Sequence, residues 1–229
     1  MNNFKNISII IPYYKPNKEL LNRTRTYIKK YAKDAEIIEI EGSAGQAKTI
    51  NKAINMAKGD ILITLHQDCV PMEEDSIERL VKPFKDKNVV MTYSWILDDE
   101  TQKRYYPIPP DSKFVAYRKS ALENVNGFDE KTFFTGGEDV DLWIKMKRFG
   151  KIIRVETTLL HTHKGYLGNK TVEKRKQNGS INGALFRIWG TQNPKWLKAL
   201  IMCIRYPTSY GRFFIRAFIL KKQDYRRKE

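Results

Sequence analysis

Three short stretches of the chain hold residue types that can do chemistry. "ITLHQDCV" (63–70) begins as an apolar, β-type run and ends on His66, Gln67 and Asp68. A carboxylate oxygen such as that of Asp68 is a hard donor suited to Mg²⁺ or Mn²⁺. His66 stands two residues earlier, at a spacing that lets both side chains leave the same side of a strand end. "GGEDVDL" (136–142) sets two glycines before Glu138 and Asp139. Acids at a helix start are stabilised by its dipole, and a carboxylate there can also serve as a general base. "HTHKG" (161–165) carries His161 and His163 after the strand-like "RVETTLL". All three histidines of the chain fall in two of these clusters, a concentration that points to a metal or phosphate role.

The elements that must position these groups follow from periodicity. "ISIII" (7–11) is a continuous β-branched run stopped by Pro12, which reads as a buried parallel strand. The next segment places Leu20, Leu21, Thr24, Tyr27, Ile28 and Tyr31 on one helical face, with Asn17 as N-cap. "EIIEI" (36–40) is a second strand. Ala47, Ile50, Ile54 and Ala57 repeat at helical spacing, with Gly59 as the stop, and "DILITL" (60–65) is a third strand. This β-α-β-α-β order with short connections predicts an α/β fold with a Rossmann-like, mostly parallel central sheet flanked by helices. Another amphipathic helix carries Ile77, Leu80, Val81 and Phe84. "NVVMTYSW" is a strand, 98–113 a loop, "GGEDVDLWIKMKRFG" a helix and "KIIRV" a strand. In such sheets ligands sit beyond the carboxyl ends of the strands. Those ends are "IPYYKP", "EGSAGQ" and "HQDCVP". Neither a dinucleotide fingerprint nor a P-loop is present, so a phosphate bound here calls for a metal.

The 229 residues carry 42 Lys and Arg against 26 Asp and Glu, a formal charge of +16 that favours an anionic partner. From residue 151 onward the balance is eighteen basic to four acidic, which reads either as a binding region or as a solubilising surface. The spacing of Cys69 and Cys203 suggests neither a disulfide framework nor a zinc site, as expected of reduced thiols in a cytoplasmic setting. The N-terminal apolar run lacks a cleavage site, and no run approaches the length that spans a bilayer. The last part, from about Thr171, reads as helical, broken by Pro207 and Gly211, with aromatic, aliphatic and basic residues interleaved. It fits either an anionic membrane interface or a helix packed back on the domain.

Four stretches in order over about the first 165 residues resemble the family 2 glycosyltransferases of the GT-A fold: "ISIIIPYYKPNKELL", "GQAKTINKAINMAKGDILITLHQDCVP", "FVAYRKSALENVNGFDE" and "GGEDVDLWIKMKRFGKI". The resemblance implies inverting transfer of a sugar from a nucleotide-diphosphate donor to an acceptor hydroxyl, with Mn²⁺ or Mg²⁺. A role in polysaccharide or glycolipid assembly and a hexosyl, rhamnosyltransferase-like specificity are the narrower implications. Asp68 matches the last carboxylate of the family's Asp-x-Asp element, and His66 stands where its first Asp usually stands. Asp139 matches the catalytic base, with Glu138 beside it, and His161 or His163 matches a late histidine that completes the metal shell. Pro12, Tyr13 and Tyr14 are expected to line the nucleobase pocket. Glu41 stands near a position where the family often has Asp touching the base, Gln46 and Lys48 near donor phosphate or ribose, and Gln67, next to Asp68, is expected with them among the donor-binding residues.

The expected organisation is a catalytic domain over 1–170, with a nucleotide-binding half at about 1–97 and an acceptor-binding half at about 98–170. A helical, basic C-terminal extension covers 171–229. The expected partners are a nucleotide-sugar donor, a saccharide or lipid-linked acceptor and, through the extension, the cytoplasmic face of an anionic membrane. Two other readings compete. A nucleotidyltransferase would carry a Gly-rich, basic loop after the first strand, where this chain has "IPYYKP". A nucleic-acid-binding protein would explain the charge, but Asp68, Glu138 and Asp139 would repel phosphate unless a metal intervened.

Overall fold

A computed structural model of the chain describes residues 6–42, 45–134, 136–162 and 171–225. β1 (Ile7–Tyr13) is buried on both faces because its apolar run is unbroken. Ile9 and Ile11 face one core while Ile10 faces the other, as strand alternation requires. α1 (Lys18–Tyr31) starts where expected: the Asn17 side chain accepts hydrogen bonds from the amides of Glu19 and Leu20. β2 (Glu36–Glu41), α2 (Gln46–Met56) and β3 (Ile61–Leu65) follow. α2 is capped by Ala57, so Gly59 is not the helix stop. Gly59 instead lies against β1, where an added Cβ would come within 2.6 Å of the Ser8 amide nitrogen.

β1 pairs in parallel with both β2 and β3, which confirms the first half of the sheet. Beyond β3 the sheet is mixed. β4 (Cys69–Pro71) and α3 (Ser76–Val81) lead to β5 (Val89–Asp98) and the short β6 (Lys103–Tyr105). β7 (Phe114–Arg118) enters antiparallel between β3 and β5. After α4 (Lys119–Asn124) and α5 (Glu138–Met146), the long strand β8 (Lys151–His161) runs parallel to β5. The order is β2-β1-β3-β7-β5-β8-β4, with β6 paired to β5. This second half keeps one long parallel pair, β5 with β8, while β4, β6 and β7 are short returns that pair antiparallel.

α6 (Val172–Trp189), α7 (Trp196–Arg205) and α8 (Arg212–Leu220) form the C-terminal extension. Pro207 opens the irregular helical turn that separates the last two, at the expected break. α6 and α8 approach closely: a Cβ on Gly183 would lie 2.1 Å from the Phe214 carbonyl oxygen. The unit is also tied to the sheet domain. Phe133, Val140 and Ile144 share a core with Ala184, Leu185 and Ala217, and Trp189 Nε1 donates to the buried Asp141 carboxylate at 2.9 Å.

Candidate active site

The chain reverses directly after β3. His66 O accepts from the Cys69 amide, and β4 then pairs antiparallel with the end of β8, placing Cys69 opposite His161. The Thr162 amide donates to Asp68 O at 2.9 Å. This register brings Asp68 Oδ2 to 3.4 Å from His161 Nε2. Asp68, Cys69 and His161 each offer a ligand atom, all within 4.8 Å of one another. Burial alone would raise the Asp68 proton affinity, but the His161 hydrogen bond and the charges of His66 and His161 outweigh it. The carboxyl is held well below the usual range. Burial pushes the Cys69 thiol well up, and its Sγ lies 3.4 Å from Asp68 Oδ1 as a weak donor. The donor set that fits a divalent cation is therefore an ionised carboxylate and an imidazole, with the thiol packed into the core behind them.

His66 is not brought into this group of ligand atoms. Its Nε2 lies 3.3 Å from Gln46 Nε2, at the first turn of α2, and Gln46 also donates to Ser112 Oγ at 2.8 Å. His66 takes a place in a polar relay, set by the hydrogen bond between the His66 amide and Lys113 O. Burial lowers the imidazole to about 4, only partly offset by Asp68, so it is neutral at pH 7. His163 lies outside the described residues. His161 meets Asp68.

The loop before β7 supplies two charged groups that the sequence does not single out. Lys113 Nζ pairs with the Asp111 carboxylate, and Asp111 lies within electrostatic reach of His66 and His161. The attraction raises Lys113 and, against the effect of burial, lowers Asp111.

Around the first two strand ends, Gln67 joins the loops: the Tyr14 amide donates to Gln67 Oε1 at 2.8 Å, and Gln67 Nε2 donates to Tyr14 O at 3.0 Å. Pro12 pairs with Ile40 and Tyr13 with Glu41 across the parallel ladder, so Glu41 flanks the Tyr13-Tyr14 turn. Tyr14 is exposed, and Pro12 and Tyr13 are half-buried. Lys48 is exposed. Two residues along α2 is a rotation of about 200°, so Lys48 points away from the side on which Gln46 meets His66.

The second carboxylate pair sits at the start of α5. Gly136 and Gly137 take φ of 80° and 98°, a left-handed turn that an L side chain would strain. The turn delivers Glu138 into a buried position, where its Oε2 has no hydrogen-bond partner among the described residues. Burial, and then the neighbouring Asp139, push Glu138 up to about 8. Asp139 is half-buried, and its Oδ1 accepts from the Val140 amide. Burial and the Asp111 charge raise it, while Lys195 pulls the other way. The dipole of α5 favours both acids, yet their proton affinities are raised: burial and like-charge repulsion outweigh the helix end.

The description "Glycosyl transferase family 2" matches residues 21–140, just over half of the chain. No curated protein matches the chain by sequence. Among solved structures, the chain is similar to a mannosyltransferase from Pyrobaculum calidifontis, in complex with GDP-Man and Mn²⁺. The two share 14% identity with a TM-score of 0.65 over 90% of this chain and 73% of that one. It is also similar to glucosyl-3-phosphoglycerate synthase from Mycobacterium tuberculosis, in complex with Mn²⁺, UDP and phosphoglyceric acid. There the identity is 14% and the TM-score 0.54, over 77% of each chain. The curled mixed sheet, its flanking helices and the match spanning the strand-end acids agree: the chain has the GT-A fold and belongs to glycosyl transferase family 2.

Proposed function

We propose that the chain is an inverting, metal-dependent glycosyltransferase that moves a sugar from a nucleoside diphosphate to an acceptor hydroxyl. The observation that carries this reading is the division of labour between two sets of acids. Asp68 is kept ionised beside His161, whereas Asp139 has a raised proton affinity at the head of α5. Asp68 and His161 are the residues suited to hold a Mn²⁺ or Mg²⁺ ion, and the solved relatives carry such ions. A divalent cation held by Asp68 and His161 would supply charge neutralisation for the leaving diphosphate.

The remaining steps belong to the chain's own side chains. Pro12, Tyr13, Tyr14 and Glu41 wall the nucleobase end, and Gln67 fixes the turn that carries the tyrosines. Gln46 and His66 form a neutral polar floor next to Asp68. Asp139 accepts the acceptor's hydroxyl proton as that oxygen bonds to the anomeric carbon. The carbon–oxygen bond to the diphosphate breaks on the opposite face, so the configuration inverts. Glu138, with its proton held to about pH 8, keeps the negative charge on Asp139 single at neutral pH. The nucleotide half (about 1–97) and the acceptor half (about 98–170) would then share one sheet, interleaved where β7 pairs with β3 and β5 and where β8 pairs with β4 and β5. A thermal-shift screen of UDP-, GDP-, dTDP- and CMP-linked sugars, with and without Mn²⁺, tests the reading. One donor class stabilises the chain only with the metal. Equal response to all of them, or to none, would reject it.

A peripheral membrane location, suited to glycolipid or polysaccharide assembly, draws on a separate observation. Leu197, Ile201 and Ile204 project from one face of α7, and Ile215 and Ile219 from one face of α8, with Leu220 at its end, all exposed. Exposed Arg205, Arg212, Arg216, Lys221 and Lys222 border them. Apolar side chains among cations suit an anionic interface. No helix among the described residues is long and apolar enough to cross a membrane. The test is flotation with phosphatidylserine vesicles. Ile204→Asp with Ile219→Asp should release the protein, and unchanged flotation would refute the membrane role. These surface variants are cleaner than truncation, which would strip α8 from α6.

A further inference from the structure

A cavity of about 460 Å³ opens between the start of α5 and the extension, a volume in the range of small-molecule sites. Its floor is Gly136, Gly137 and Asp139, and its walls come from α6 and α7. Three lysines line it, Lys174, Lys195 and Lys198, and Asp139 is the one carboxylate among the lining residues. Lys195 caps the start of α7 and Lys198 follows at i+3, so the helix presents both on one side. Both are exposed at the mouth, and neither forms a close ion pair among the described residues, although Lys195 lies within electrostatic reach of Asp139. Lys174 donates to Gln177 on the cavity wall at 3.2 Å. A neutral saccharide needs amides, hydroxyls and carboxylates around it. Three lysines against one carboxylate among the described lining residues leave the concavity net positive, which favours an anion there.

We infer that this cavity is the acceptor site and that it selects an acceptor bearing an anionic group, a phosphate or a carboxylate, held by Lys195, Lys198 and Lys174 while its hydroxyl meets Asp139. The inference rests on the reading of Asp139 as base. It gives the basic extension a second role, because α6 and α7 build the acceptor pocket and recognition then sits outside the stretch that matches the family description. The like-signed residues would raise the local concentration of anionic acceptor and set its orientation.

The test is calorimetric titration of the EDTA-treated full chain with glucose 1-phosphate, glucuronate and neutral methyl glucoside. Both anions should bind more tightly than the neutral sugar, and the tighter of them identifies phosphate or carboxylate as the preferred group. In Lys195→Gln/Lys198→Gln the anions should weaken tenfold or more while the neutral sugar is unchanged. Asp68→Ala should bind the anions like wild type, because the donor side is not involved. The inference is overturned if the anions bind no better than methyl glucoside, if the double variant binds them as wild type does, or if Asp68→Ala abolishes their binding. Mn²⁺-dependent binding of UDP and GDP, read in the same proteins, reports the donor reading separately. Its absence from wild type would sink that reading whatever the lysines show.

Discussion

The turn after β3 and the turn before α5 each end on a carboxylate, yet they treat it in opposite ways. Asp68 lies against His161 with His66 near, and its proton affinity falls. Glu138 and Asp139 lie side by side with burial around them and Asp111 in reach, and theirs rises. Both turns place acids at the carboxyl-end rim of the sheet, where ligands of α/β proteins bind. What separates them is the sign of the nearest neighbours. An ionised carboxylate beside the His161 imidazole makes one site suited to a cation, and three neighbouring acids make the other suited to a proton.

The largest effect that would break or sharpen this contrast is expected from Asp139→Asn. Loss of a general base costs about 10²–10⁴-fold in turnover, with donor affinity retained. Steady-state kinetics alongside donor titration checks it, and near-normal turnover would remove Asp139 from the role. Next is Glu138→Gln, read as stability against pH. A carboxyl whose folded pKa is raised to about 8 from 4.5 binds more protons folded than unfolded between those values. Its contribution to stability therefore falls as pH rises through that window and levels off above it. The Gln variant should gain on wild type by a few kcal/mol, on the order of magnitude set by such a shift. The gain grows from about pH 4.5 to 8, and denaturant melts at a series of pH values show whether it is instead flat. The smallest effect is expected from Gln67→Ala, which removes two hydrogen bonds to Tyr14. It should cost about 1–3 kcal/mol of stability and raise the donor KM more than it lowers kcat. An unchanged KM would leave the Tyr13-Tyr14 turn out of donor binding.

The half of the fold built from long periodic segments is legible in the sequence. β1, α1, β2, α2 and β3 announce themselves through unbroken β-branched runs or helical spacing, and α5 through its glycines and acids. β4 is not legible, because three residues are too few to show a period, yet its pairing with β8 is what brings His161 to Asp68. β6 and β7 are hidden for a related reason: short antiparallel returns carry little apolar pattern of their own. Among the site residues, Asp68, Gln46 and Asp139 stand out in their stretches. Asp111 and Lys113 do not, because they lie inside a segment that reads only as a charged, Pro-rich loop. Their place in the site depends on β7 pairing with β3, a contact between residues about 50 positions apart, and no local signal encodes it. The docking of the extension is likewise open in the sequence. Gly179 and Gly183 in α6, where an added Cβ would meet the backbone of Tyr210 and Phe214, and the Trp189–Asp141 hydrogen bond resolve it in favour of packing. The apolar residues that remain outside that packing carry the membrane reading.

The contrast between the two acids is tested most directly by calorimetric titration of nucleoside diphosphate, with and without Mn²⁺, into Asp68→Ala and Asp139→Asn side by side. The account predicts that Asp68→Ala loses the metal-dependent part of the binding, at least about tenfold, while Asp139→Asn binds as wild type does. The reverse pattern, or an equal loss in both, would contradict it.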